Sequence, residues 1–421
     1  MDQSALPPPS LSELFRVFGR IGLLSFGGPA AQIALMHKEL VEDRPWLSEK
    51  QYLDALSFCM LLPGPEAMQL ATYAGWRLHG VIGGLIGGLL FVLPGALVMT
   101  LLSLTYAFFG QVPLVEALFL GIKATVVIIV LQALLKLGQK ALKTTDRWIL
   151  AGLSFVGIFF LALPFPMIIA AAAAYGYFRA EPSTDLPPKL AKAHTSRTIA
   201  IWLCIWAAPV LVAWLSGATF LSEIALFFSK LAVVTFGGAY AVLAYMTQEV
   251  VSGYAWLSTA EMMDGLGLAE TTPGPLILVT QFVGMLAGFK EDGLGTALWA
   301  GALTLWVTFI PCFLWIFTGA PFIDWISSRA RLRAALNAIT AAVVGVILNL
   351  SVWFAVHVFF ADVTNTHLGP LRLVTPRLTS LELPALLLAL LAGILLIFLK
   401  WPLPRVLALV AVLGASLTTL L

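Results

Sequence analysis

Charge is the scarcest thing in this sequence. Only 11 % of its 421 residues are Asp, Glu, Lys or Arg, against about 25 % in a soluble domain. The formal net charge is +2 and no long basic run occurs, so no electrostatic footprint for nucleic acid exists. Cysteine is nearly absent too. Cys59, Cys204 and Cys312 lie far apart in apolar segments. They form neither a CxxC pair nor a Cys/His cluster, which argues against a disulfide framework and a metal site. They read as small packing residues. Also missing are a GxxxxGK[ST] phosphate loop, an HExxH or GxSxG motif, and any flavin or nicotinamide fingerprint. ATP as energy source and enzyme chemistry, intramembrane or otherwise, lose their sequence basis. No cofactor is expected. Met1–Ser12 is polar and proline-rich, without the basic-then-apolar pattern of a removable signal peptide.

Apolar residues fill the space that charge leaves. They make up 60 % of the chain, more than a soluble protein can hide, so lipid is the expected partner. A bilayer core needs about 20 apolar residues per helix. Candidate spans fall at roughly 11–28, 54–75, 80–109, 116–135, 148–163, 164–178, 199–216, 222–237, 261–287, 295–319, 335–358, 382–399 and 403–421. This predicts an all-α integral membrane protein of about thirteen transmembrane helices. The stretch Gln32–Gln51 mixes charge with apolar residues and reads as interfacial. The polar break Arg179–Arg197, with Pro182, Pro187 and Pro188, reads as a linker.

The chain repeats itself. Residues 26–65 align with 236–275 without a gap, and 16 of the 40 positions are identical. Phe26-Gly27-Gly28 matches Phe236-Gly237-Gly238, and Glu39 matches Glu249. Trp46-Leu47-Ser48 matches Trp256-Leu257-Ser258, Asp54 matches Asp264, and Pro63-Gly64-Pro65 matches Pro273-Gly274-Pro275. Shared hydrophobicity cannot place Gly, Pro, Asp and Trp in register. The organisation expected is a repeat at 1–180, a linker with its own transmembrane helix at 181–220, and a second repeat at 221–421.

Basic residues predict that the repeats are inverted, because positive charge concentrates in cytoplasmic loops. Span 116–135 is followed by Lys136, Lys140, Lys143 and Arg147, whereas its counterpart 335–358 is preceded by Arg329, Arg331 and Arg333. The N-terminus and the linker are then cytoplasmic and the C-terminus external. Arg372 and Arg377 fall on the wrong side. Inverted repeats with broken helices at the midplane are a common plan for secondary transporters; a passive anion channel is the competing reading.

Two helix-breaking motifs occur in each half. Ser25-Phe26-Gly27-Gly28-Pro29 has its counterpart in Thr235-Phe236-Gly237-Gly238. Pro63-Gly64-Pro65 has its counterpart in Pro273-Gly274-Pro275. Pro-Gly-Pro lacks two amide donors and cannot continue a helix. A helix restarting after it offers free N–H groups and a positive dipole end to an anion. Arg20 and Lys230, in register five residues before Ser25 and Thr235, and Lys123, inside its span, are candidate anion-attracting cations; the alternative for the first two is snorkelling to the interface. Gln32, Gln69, Thr72, Thr271, Thr272, Thr280 and Gln281 could supply polar contacts. Glu66 and Glu270 are candidates for carrying a coupling proton. Glu39, Glu249, Asp54 and Asp264 are capping or gating candidates, and Trp46 and Trp256 read as interfacial anchors.

The ordered set Ser25-Phe26-Gly27-Gly28-Pro29, Glu39, Trp46-Leu47-Ser48 and Leu62-Pro63-Gly64-Pro65-Glu66 with Gln69 resembles the chromate ion transporter family in its long, two-domain form. Thr235-Phe236-Gly237-Gly238-Ala239 and Thr272-Pro273-Gly274-Pro275 resemble the same family's second domain. The resemblance implies a bacterial inner-membrane secondary transporter that exports chromate and confers chromate resistance. Sulfate is the implied competitor; transport of sulfate or another small oxyanion is the alternative. A homodimer is compatible with it. The halves depart from equivalence at Pro29/Ala239 and Glu66/Leu276.

Overall fold

The structure, a computed structural model, describes residues 9–110, 112–180, 195–236, 239–323, 325, 329–369 and 371–420. The proposed linker's polar centre and the pair Gly237-Gly238 lie outside them. The first half runs α1 (Leu11–Leu24), α2 (Gly28–His37), α3 (Glu49–Cys59), α4 (Glu66–Phe109), α5 (Pro113–Ala141), α6 (Thr145–Phe159) and α7 (Phe165–Arg179). Helix α8 (Thr195–Leu215) comes next. The second half runs α9 (Thr219–Val234), α10 (Ala239–Gln248), α11 (Thr259–Thr271), α12 (Val279–Gly319) and α13 (Ala330–Phe359). Strands β1 (Val363–Leu368) and β2 (Leu371–Pro376) precede α14 (Leu383–Gly393) and α15 (Leu403–Leu420).

Local chemistry explains these boundaries. Ser48 and Ser258 cap α3 and α11 through reciprocal bonds with Gln51 and Glu261, the capping-box arrangement. Helices α2 and α10 each widen into a π-helical turn, at Lys38–Glu42 and Glu249–Gly253. Both long helices fold back at a non-helical pair, His79-Gly80 in α4 and Asp292-Gly293 in α12. The two arms of α4 touch backbone to backbone: a Cβ on Gly75 would lie 2.1 Å from the Gly83 carbonyl oxygen.

Among the described residues, five helical stretches are long and apolar enough to cross a membrane: Glu66–Phe109, Pro113–Ala141, Thr195–Leu215, Leu276–Phe322 and Ala330–Phe359. Two of them contain the fold-backs. The helix surfaces expose large apolar side chains such as Leu97, Leu101, Phe178, Trp214, Leu215 and Phe398. Water would make so much exposed apolar surface unstable, and lipid accepts it. The chain is an all-α multi-pass membrane protein with one small addition. The segment read as a loop around Arg372 is a two-stranded antiparallel hairpin that pairs Thr364 with Thr375 and His367 with Arg372.

The helices sort into two compact units, each drawn from both halves of the sequence. One comprises Met1–Leu101, Ser183–Ala239 and Thr272–Ala330, and the other Leu102–Pro182, Tyr240–Thr271 and Arg331–Leu421. In the second unit, α5, α14 and α15 pack around Ala124, Leu388, Ala392, Val406 and Val410. Small residues allow that closeness; the Val410 carbonyl would lie 2.2 Å from a Cβ on Gly121.

Candidate functional site

All four helix breaks belong to the first unit, and they close one another crosswise. Ser25 ends α1 and Thr235 ends α9 in nearly the same backbone geometry, φ −77 and ψ 65 against φ −74 and ψ 75. Each hydroxyl donates back into its own helix, Ser25 Oγ to Ile21 O and Thr235 Oγ1 to Leu231 O, both at 2.6 Å. The hydroxyls are thereby occupied and the main-chain carbonyls are turned outward. The Gly64 amide of the first Pro-Gly-Pro donates to Thr235 O at 2.7 Å. The Gly274 amide of the second donates to Ser25 O at 2.8 Å. Each half therefore satisfies the broken backbone of the other. In a membrane an unpaired amide costs several kcal/mol, so these two bonds are what lets the breaks exist there.

Glycine is required at both crossings. Gly64 has φ +115 and Gly274 φ +88, in the region that disfavours any side chain. A Cβ on Gly64 would meet Cys312 Sγ and Gln69 Nε2 at 2.9 Å. Two buried glutamines brace the breaks, and a third ties α12 to α4. Gln32 donates to Ser25 O at 3.2 Å and to Gly274 O at 2.6 Å. Gln69 donates to Pro63 O at 2.7 Å. Gln281 donates to Ala96 O at 3.1 Å and Thr100 Oγ1 at 2.7 Å. Their amide oxygens find no partner among the described residues, so the spare capacity is for accepting hydrogen bonds, which suits water better than an anion. Thr72 and Thr280 donate to carbonyls of their own helical segments, and Thr272 is buried beside the second crossing.

The Gly64 and Gly274 amides are bonded to carbonyls and are not themselves the N–H groups that a restarting helix offers. Each break leads instead into a fresh helical start, where Gln69 N–H reaches Pro65 O and Leu278 N–H reaches Pro275 O. The first-turn amides of any such start lie out of reach of the helix's own carbonyls. Glu66 is half-buried at the first of these starts. Gly27 and Gly28, at φ +86 and +77, form the turn between α1 and α2.

The candidate cations have different surroundings. Arg20 is 59 % exposed in its side chain and lies 3.5 Å from Glu39, which is 4 % exposed and is also held by Arg44. Arg20 is thus an exposed partner of a buried acid. Lys230 is exposed on α9. Lys123 belongs to the second unit, where its Nζ lies 2.9 Å from Asp264 Oδ1. Tyr106 donates to Asp264 Oδ2 at 2.7 Å. Asp264 is not the cap of its helix, because Ser258 is. Glu270, on the same helix and 8 % exposed, accepts from Tyr240 at 2.9 Å. Asp54, in register with Asp264, is exposed on α3, and Glu249 is half-buried.

Sequence reasoning missed Tyr106 and Tyr240. Each is a tyrosine in a mostly apolar run, and an interior carboxylate in the same membrane protein was the signal that could have recruited it. No group of His, Cys, Asp and Glu suited to a metal exists among the described residues.

The sequence profile described as chromate transporter matches residues 12–177 and 222–415. The chromate transport protein of Pseudomonas aeruginosa is 33 % identical over 356 residues, 82 % of this chain and 81 % of that protein. The probable chromate transport protein of Synechococcus elongatus is 31 % identical over 348 residues, 81 % of this chain and 84 % of that one. The chromate transport protein of Cupriavidus metallidurans is 30 % identical over 343 residues, 81 % of this chain and 82 % of that one. No solved structure matches the chain. The matched stretches carry both Pro-Gly-Pro motifs and both turns that close them, and the chain belongs to the chromate transporter family.

Proposed function

We propose that this chain is a secondary active transporter that exports chromate across the bacterial inner membrane and so confers chromate resistance, with sulfate as the competing anion. Family membership and the names of the relatives support the substrate. The two repeats are read as inverted, with thirteen crossings and a cytoplasmic N-terminus.

The observation that carries the reading is the crossed pair of bonds, Gly64 N–H to Thr235 O and Gly274 N–H to Ser25 O. Two amides held by neutral carbonyls, each beside a helix start, form a latch that a dianion can open. A charged oxygen is a stronger acceptor than a peptide carbonyl, and the adjoining first-turn amides and helix dipoles add to its pull. Chromate displaces the carbonyls, takes the Gly64 and Gly274 amides, and leaves each half free of the other's break. Gln32, Gln69, Thr272 and Gln281 keep the broken backbone in shape rather than binding the anion directly. Glu66 occupies the same positive helix start that an anion needs, so its ionised form opposes binding. Glu270 and Asp264 are the candidate proton carriers of the second unit, and Lys123 serves as counter-ion to Asp264.

Uptake of radiolabelled chromate into everted vesicles, with and without a proton gradient and with excess sulfate, tests this. Gradient-dependent uptake reduced by sulfate is the expected result. Absence of uptake in vesicles that hold folded protein would overturn chromate export.

A further inference from the structure

The second unit holds a cavity that none of the helix-break residues lines. It encloses about 50 Å³ between α6, α10, the π-helical turn after α10, α13 and strand β2, and its polar lining is Thr247, Gln248, Ser252, Asn349 and Arg372, with Trp353 beside them. By this measure a water needs roughly 10–15 Å³, so the space fits a few waters or one tetrahedral oxyanion.

Three observations point to an anion there. Arg372 and Arg377 share one short hairpin region that the charge pattern expects to be poor in cations. Arg377 is accounted for by Asp362, 3.2 Å away. Arg372 has no carboxylate partner among the described residues, and its position is fixed by its amide, which donates to Phe160 O at 2.7 Å. Thr247 is 3 % exposed, and its hydroxyl finds no hydrogen-bond partner among the described residues. A buried hydroxyl left unpaired costs free energy, and a ligand in the cavity removes that cost. Gln248, Ser252 and Asn349 add donors without adding negative charge. Glu249 is the nearest acid in sequence, but its Oε2 packs against Gly253 and it does not line the cavity. His357, one turn beyond Trp353, stacks on that indole at 4.5 Å and is the other titratable group near Arg372.

We infer that the cavity beneath the β1–β2 hairpin is a second oxyanion site, built on Arg372 and Thr247, that takes a small tetrahedral dianion of the chromate or sulfate class. The choice of anion rests on the transporter reading; the site itself rests on the second unit's own residues.

Equilibrium binding of radiolabelled sulfate and chromate to the full chain in lipid-free detergent tests this, with thermal unfolding as the check on folding. Wild type is expected to hold more than one anion per chain. Arg372→Gln should weaken one class of site by about tenfold to a hundredfold, the loss of one charged hydrogen-bonding partner, while Arg372→Lys keeps most of the affinity. Thr247→Val, which barely changes volume, should weaken the same class a few-fold and serves if the arginine variant misfolds. Unchanged stoichiometry and affinity in folded Arg372→Gln and Thr247→Val would overturn the hairpin site alone and leave the latch untouched. A folded wild type that binds neither anion would overturn both.

Discussion

Helices α3 and α11 descend from the same repeated sequence and have come to opposite fates. Both start at Trp-Leu-Ser, both are capped by a serine, and both lead to Pro-Gly-Pro. Yet α3 buries one face, Tyr52, Ala55, Phe58 and Cys59, and leaves Asp54 exposed. Helix α11 is buried without interruption from Met262 to Glu270, and its aspartate is enclosed by Lys123 and Tyr106. The lesson is that the repeat conserves the break and not the chemistry beside it. At the position of Glu270 the first half has Met60, and at the position of Glu66 the second half has Leu276. The crossed backbone bonds are therefore nearly symmetric while the carboxylates are not.

The comparison breaks most sharply at Asp264. Lys123→Met alone leaves a buried carboxylate unpaired and should cost about 3–5 kcal/mol. Combined with Asp264→Leu it should recover much of that, whereas Asp54→Asn should change stability by less than about 0.5 kcal/mol. Thermal unfolding of purified variants checks this, and an equal cost at Asp54 would erase the distinction. Gly64→Leu and Gly274→Leu attack the symmetric part. Both should lower chromate uptake by about a hundredfold while the protein still inserts, because a side chain at positive φ that also overlaps its neighbours disrupts the crossing. Normal uptake in both variants would remove the latch.

Glu66→Gln sharpens the asymmetry. Removing an anion from a helix start should raise oxyanion affinity by about threefold to tenfold at low salt, and Leu276→Gln in the other half should not. Radiolabel binding separates the two. The caps are the symmetric control: Ser48→Ala and Ser258→Ala should each cost about 1 kcal/mol, and unequal costs would show that the two helices depend differently on their starts. The smallest effect concerns His37, whose counterpart is Thr247. The Glu49 carboxylate, with Glu42 beyond it, raises His37 above its ordinary 6.5. The protonated pair then contributes fully below about pH 6.5, and the contribution is lost as pH rises through the raised value. NMR titration should show the shift, and Glu49→Gln should reduce it.

Much of this was legible. Gly and Pro cannot be placed in register by hydrophobicity, so Pro63-Gly64-Pro65 and Pro273-Gly274-Pro275 located the breaks. The fold-backs at His79-Gly80 and Asp292-Gly293 fall between spans separated on hydropathy. Other signals are as plain once the structure is known. Ser48-x-x-Gln51 and Ser258-x-x-Glu261 are capping boxes, and the β-branched run Val363–Thr375 around Leu-Gly-Pro is a hairpin pattern. What register could not reveal is contact. Where the repeat continues more weakly, Val126-Val127 pairs with Val343-Val344 and Lys123 therefore with Thr340, while Asp264 pairs with Asp54, so alignment filed the two members of one ion pair under different headings. The crossed bonds were hidden for the same reason: each amide's partner belongs to the other motif of the other half.

That crossing sets a timetable for assembly. Gln32 bonds a carbonyl 242 residues further along the chain. At synthesis rates of about 5–20 residues per second, the first half waits on the order of 10–50 s with its broken helices incomplete. Through that interval the amide of Gly64 must be kept by water at the interface or by the insertion machinery. A chain ended in the linker would hold breaks that no lipid can satisfy, and only a second half, supplied by another chain, could close them.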